Sequence, residues 1–115
     1  MKEAFESTYQ ATIFVAGYHA KALRTCQAHC DEVGQCVTVE PTTYVYTGGA
    51  EAGVRVGLIN YPRFPSSPSE IARRTKRLAL ILLDALGQES VSIVATYGTT
   101  CLSRRAADCL QPANL

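Results

Sequence analysis

The sequence predicts an α+β fold, and three observations carry that expectation. Period-two apolar segments and helix-period segments follow one another in the order β-α-β-β-α-β. Each helix-period segment stops at a glycine, and the second also opens on a strong start signal. The two middle strands are joined by a glycine-rich stretch suited to a hairpin. Together these describe a ferredoxin-like βαββαβ two-layer sandwich with a C-terminal β extension. At 115 residues the chain is long enough for one core but not two. Residues 1–115 are therefore read as a single α+β domain, with 106–115 a loosely docked tail.

The first strand runs from Tyr9 to Ala16, where Tyr9, Ala11, Ile13 and Val15 alternate with Gln10, Thr12 and Phe14. Gly17 closes it. From His19 onward Leu23, Cys26, Cys30 and Val33 recur at helical spacing, and Gly34 stands where a left-handed helix end prefers glycine. Residues 36–47 are rich in Val, Thr and Tyr, and Pro41 marks a bulge or an edge strand. "TGGAEAG" then reads as the hairpin loop, followed by a strand from Val54 to Tyr61. Ser67, Pro68 and Glu70 form a helix start: a cap, a proline at the first position and a capping-box acid. Ile71, Thr75, Leu78, Ala79, Leu82 and Leu86 give that helix one apolar face, and Gly87 ends it. "VSIVATYGTTCLSR" supplies a last strand, a turn at Tyr97 and Gly98, and a short partner. Right-handed crossovers make strands one and two, and three and four, neighbours or near neighbours in parallel, while the hairpin supplies an antiparallel pair.

The formal net charge is +1, so the overall balance announces neither a nucleic-acid polymer nor an acidic substrate. Positive charge is local: Arg73, Arg74, Lys76 and Arg77 fall on one short run. Five cysteines are an odd count, and the opening "MKEAFESTYQ" has no apolar signal core. The longest apolar run, Leu78 to Leu86, is short and interrupted by Asp84. The expectation is a soluble cytoplasmic protein with no membrane partner.

The least ordinary stretch is "GLINYPRFPSSPSE". Prolines 62, 65 and 68 fix φ and restrict the residues before them, which pre-orders Tyr61 and Phe64. A preordered loop loses less entropy on binding. As a ligand clamp, Tyr61 and Phe64 stack on a base, Asn60 reads an edge or a ribose hydroxyl, and Arg63 meets a phosphate. As a plain connection, the same loop packs Phe64 under the sheet and starts a helix sharply. The basic run also has two readings. Arg73 and Arg77 share a helix face one turn from the loop and are placed to join its pocket. Alternatively they belong to a solvated face, with Glu70 pairing Arg73 or Arg74.

Cys26, His29 and Cys30 stand at i, i+3 and i+4, a spacing that allows a shared metal, with Cys36 close behind. They match no two-plus-two knuckle, and small buried thiols serve well in an apolar stripe, so no metal is assigned. No nucleophile elbow, carboxylate pair or phosphate-cradling glycine motif is present. Those absences point to a binder that is not an enzyme and needs no cofactor.

"VGLINYPRFPSSPSEI", followed by a basic and then aliphatic helix, resembles the Thoeris anti-defence sponges, a family of small phage-encoded proteins. The likeness spans residues 54–83. It implies a compact oligomer in the host cytoplasm that sequesters cyclic ADP-ribose signals of Toll/interleukin-receptor-domain enzymes, or cyclic oligonucleotides, without cleaving them. It further implies a pocket of Asn60, Tyr61 or Phe64, and Arg73 or Arg77, completed by Arg24 or Arg55. A cyclic, doubly phosphorylated ligand calls for aromatic planes and guanidinium forks, and a chain this small offers it little depth. A symmetric homo-oligomer with sites between subunits supplies the missing wall. The competing reading is a protein–protein inhibitor that uses Tyr61, Arg63 and Phe64 as anchors against a host enzyme.

Overall fold

The computed structural model describes residues 1–105, so the tail expected at 106–115 lies outside the described residues. Its elements are β1 (Gln10–Ala16), α1 (His19–Val33), β2 (Thr38–Tyr46), β3 (Gly49–Ile59), α2 (Pro68–Ala85), β4 (Ser90–Ala95) and β5 (Gly98–Ser103). The strands form one antiparallel sheet in the order β2-β3-β1-β4-β5. β1 and β2 run parallel on either side of β3, as do β3 and β4 on either side of β1. The α+β expectation holds, with both helices packed on one face of the sheet. No helix among the described residues is long and apolar enough to cross a membrane.

Strand alternation decides which side chains meet the helices. Ala11, Ile13 and Val15 of β1 and Val54, Val56 and Leu58 of β3 turn inward. They bury against Ile71, Leu78, Leu82 and Leu83 of α2. The opposite face carries the alternate residues, in rows fixed by the register. Glu40, Arg55, Phe14 and Ser92 lie side by side, and so do Thr38, Gly57, Thr12 and Val94. The Arg55 guanidinium sits 5.2 Å from the Phe14 ring centroid. A Cβ on Gly57 would lie 2.5 Å from Thr38 Oγ1, so this row closes up only with glycine there. No described element covers this second face, and Ile59 and Val94 are exposed on it.

Two expectations need correction. The hairpin turn is confined to Thr47 and Gly48, and β3 begins at Gly49 instead of Val54. The glycines of the expected loop serve the ladder instead: a Cβ on Gly53 would fall 2.1 Å from the Tyr44 ring, whose hydroxyl donates to Val54 O at 2.7 Å. Secondly, α1 buries Ala22, Cys26 and His29. Leu23 and Val33 remain exposed. The stripe is turned by one residue because α1 rests on the sheet through small side chains. Buried His29 is accommodated by a hydrogen bond between its Nε2 and Gln35 Oε1, 3.2 Å apart.

Candidate functional site

β3 ends at Ile59, and the chain enters the proline loop through Asn60. Asn60 N–H donates to Tyr9 O at 3.0 Å, which continues the β1–β3 ladder by one rung. Its side chain then bridges two segments. Nδ2 donates to Ser7 O at 3.0 Å, and Oδ1 accepts from Ser66 N–H at 2.8 Å. Asn60 thus fixes the loop from inside, tying its end to its beginning. Phe64 N–H donates to Tyr61 O at 3.1 Å, a tight turn around Pro62 and Arg63.

The loop hands over to α2 through Ser67, whose Oγ accepts from Glu70 N–H at 3.2 Å. The Glu70 carboxylate accepts from the same hydroxyl at 3.4 Å. One turn on, Arg74 reaches back: Nη1 donates to Ser66 Oγ at 3.2 Å, and Nη2 lies 3.5 Å from Glu70 Oε2. Loop and helix start therefore form one hydrogen-bonded unit.

The unit presents two rings. Tyr61 and Phe64 have centroids 5.2 Å apart at an interplanar angle of 42°, and Phe64 is 51% exposed. Cys36 Sγ lies 3.6 Å from Tyr61 Oη. The hydrogen bond with Cys36 first, then partial burial, raises the Tyr61 phenol above its ordinary value. Between these groups, Gln35 and Arg74 lies a recess of about 30 Å³. Drug-sized ligands occupy on the order of 300 Å³ or more, so one subunit alone does not enclose a nucleoside here. Tyr97, at the β4–β5 turn of the same sheet end, is exposed, with its ring 5.7 Å from that of Tyr9.

The residues singled out in the sequence divide between three places. Tyr61 and Phe64 come together at the recess, while the Asn60 amide is engaged within the loop by Ser7 and Ser66. Arg63 is on the exposed tip of the loop. Arg73 and Arg77 line a separate groove with Lys76, Leu80 and Ile81 on the outer flank of α2. The apolar stripe of α2 faces the sheet, and one residue of helix rotation then sends Arg74, not Arg73, to the loop. Of the two further arginines, Arg24 borders the α1 side of the same outer groove, and Arg55 is on the uncovered sheet face. Gln35 carries no signal in the sequence, and Cys36, which the sequence groups with Cys26, His29 and Cys30, is brought to the recess by the fold. Arg74 had a usable signal, its i,i+4 spacing from Glu70.

Cys26 belongs to the core, where burial and then neighbouring Cys30 push its thiol up to about 11. Burial also raises Cys30. With His29 engaged by Gln35, these three side chains are explained by packing, and no metal cluster occurs among the described residues.

No protein-family model and no curated protein matches the chain. Two solved structures share its fold. A phage SAM lyase in its apo state aligns with a TM-score of 0.73 and 18% identity, over 91% of this chain and 97% of that one. A phage SAM lyase in complex with S-methyl-5'-thioadenosine aligns with a TM-score of 0.62 and 16% identity, over 90% and 95%. Neither is a Thoeris sponge. The expectation that the chain is not an enzyme is corrected by this finding, since both proteins of like fold are lyases.

Proposed function

We propose that this protein is a phage anti-defence enzyme that binds an adenosyl sulfonium substrate, S-adenosylmethionine, and cleaves it to S-methyl-5'-thioadenosine. The observation that carries the reading is the correspondence with the phage SAM lyases over nearly the whole of each chain. Fold alone does not fix chemistry, so the local fit matters as well. Adenine and a sulfonium both favour aromatic faces, the cation through the ring quadrupole, and Tyr61 with Phe64 offers such faces on a rigid loop. A cyclic ADP-ribose ligand would need free guanidinium groups at the same rings, whereas Arg74, which lines the recess, is engaged by Ser66 and Glu70, and Arg73 and Arg77 are on another flank of α2.

The chemistry asks little of the protein. When the bond from sulfur to the four-carbon fragment breaks, its electron pair goes to sulfur and leaves a neutral thioether. The carbon fragment is completed by closure of its own carboxylate onto that carbon, a C–O bond forming as the C–S bond breaks, with no proton to be taken up. The substrate carries its leaving group, so positioning and exclusion of water supply the rate. This is why a site without a nucleophile elbow is compatible with an enzyme.

The small recess calls for a second wall. The uncovered sheet face, with Phe14, Ile59 and Val94, supports a homo-oligomer whose sites are completed between subunits. The test is incubation of the purified chain with S-adenosylmethionine, followed by mass spectrometry, in parallel with cyclic ADP-ribose isomers. Time-dependent release of S-methyl-5'-thioadenosine is expected, reduced by roughly tenfold or more in Tyr61→Ala. Intact S-adenosylmethionine after prolonged incubation with folded, oligomeric protein would overturn the reading.

A further inference from the structure

The outer surface of the helix layer carries a feature that this activity does not use. α1 and α2 lie side by side, with a hollow of about 440 Å³ in their seam and a second of about 390 Å³ adjoining it along the outer surface of α2. Ile81 lines both, with Ala28 on one side and Leu80, 45% exposed, on the other, so the floor is apolar. The rims carry five cations against two acids, Glu32 and Asp84, of which Asp84 is already paired with Arg104. α1 contributes Lys21 and Arg24, and α2 contributes Arg73, Lys76 and Arg77.

None of these five side chains takes part in an ion pair among the described residues, whereas Arg74 and Arg104 are paired with Glu70 and Asp84. The chain's formal charge is only +1, so this flank concentrates positive charge that the rest of the molecule offsets. The flank also faces away from the sheet and stays open in an oligomer built through the uncovered sheet face.

We infer that the α1–α2 groove docks an acidic amphipathic helix of a partner protein. A third helix seats in the seam between two others, as in helix-in-groove recognition, with apolar anchors at i, i+3 and i+7. Its apolar stripe meets Ile81, Leu80 and Ala28. Carboxylates on both flanks meet Arg24 and Lys21 on one wall and Arg73 and Arg77 on the other. A nucleic-acid backbone would satisfy the cations but leave the apolar floor in water.

The probe is a synthetic helical peptide of about 15 residues with leucines at those spacings and glutamates on both flanks. It is titrated into the isotope-labelled full chain at physiological ionic strength, and amide shifts are followed. Saturable shifts confined to the segments around Lys21–Glu32 and Arg73–Asp84 are expected. Arg73→Glu with Arg77→Glu, and separately Leu80→Asp, should each weaken binding roughly tenfold or more. Arg73→Gln with Arg77→Gln repeats the measurement should the charge reversal disturb folding. Three results would overturn the proposal: no localised shifts, equal affinity for a scrambled peptide of the same composition, or tighter binding of a DNA duplex at the same residues.

Discussion

α1 and α2 rest on the same face of the same sheet, yet different chemistry holds them there. α2 buries Ile71, Thr75, Leu78, Ala79, Leu82 and Leu83 and starts at a Ser67 cap with Pro68 in the first turn. α1 buries only Ala22, Cys26 and His29, and its N-cap, Tyr18, makes no side-chain capping bond. α2 is thus an amphipathic helix held by apolar burial. α1 is held by close approach of small side chains and by one hydrogen bond to a buried histidine. The lesson concerns the site: the loop with Tyr61 and Phe64 is anchored to the strongly held helix, and Cys36 reaches it from beyond the weakly held one.

The largest test of that contrast truncates one leucine on each helix. Leu78 is fully buried, so Leu78→Ala should cost about 3 kcal/mol through lost transfer energy and a residual cavity. Leu23 is 47% exposed on α1, so Leu23→Ala should stay within about 0.5 kcal/mol. Urea denaturation of the two variants checks both. Equal costs would mean that α1 is packed as deeply as α2 and would remove the contrast.

A smaller effect should appear in alkali. Folding raises the Cys26 thiol from an ordinary 9.0 to about 11, chiefly by burial. The unfolded chain gives up this proton first. The stabilisation is therefore fully present below about pH 9 and is lost as pH rises through about 11, for a total on the order of 2 kcal/mol. Urea midpoints of wild type and Cys26→Ala, compared at neutral and strongly alkaline pH, isolate this contribution from other titrating groups. Wild type should lose more stability than the variant. Parallel losses would show that Cys26 is hydrated in the folded state, and that α1 is looser still than its packing shows.

The same contrast explains what the sequence made legible. α2 announced itself fully, because cap, proline, acid and a six-residue apolar stripe all agreed. The faces of β1 and β3 were equally readable, since Ile13, Val15, Val54 and Val56 alternate without interruption. α1 was read one residue out of phase: Leu23 and Val33 look like core residues on hydropathy alone, while the histidine that is buried looks like a surface group until Gln35 is found beside it. In the site, the rigid loop and its two rings followed from proline chemistry. The partition of Arg73, Arg74 and Arg77 did not, because helix rotation depends on which residues finally meet the sheet. The enzymatic reading has no counterpart in the sequence, since the reaction proposed above would require neither a nucleophile elbow nor a carboxylate pair.

The smallest predicted effects lie at the helix starts, and they act in opposite directions. Ser67→Ala removes the acceptor for Glu70 N–H, where such caps are worth about 1 kcal/mol, so stability should fall by that amount. Tyr18 occupies the corresponding place in α1 with φ −80° and ψ 131°, the extended backbone that a capping residue needs, but its side chain caps nothing and is largely exposed. The first turn of α1 also contains no acidic residue. Tyr18→Asp should therefore add both an acceptor for an orphan N–H and a favourable charge at the positive end of the helix dipole, raising stability by roughly 0.5 kcal/mol. Urea midpoints and amide exchange over the first turn of α1 read the change. A gain in both shows that α1 is limited by its own helix start. Slower exchange without a gain in global stability would mean that the start of α1 opens separately from the core, and so that packing on the sheet, not capping, is what distinguishes the two helices.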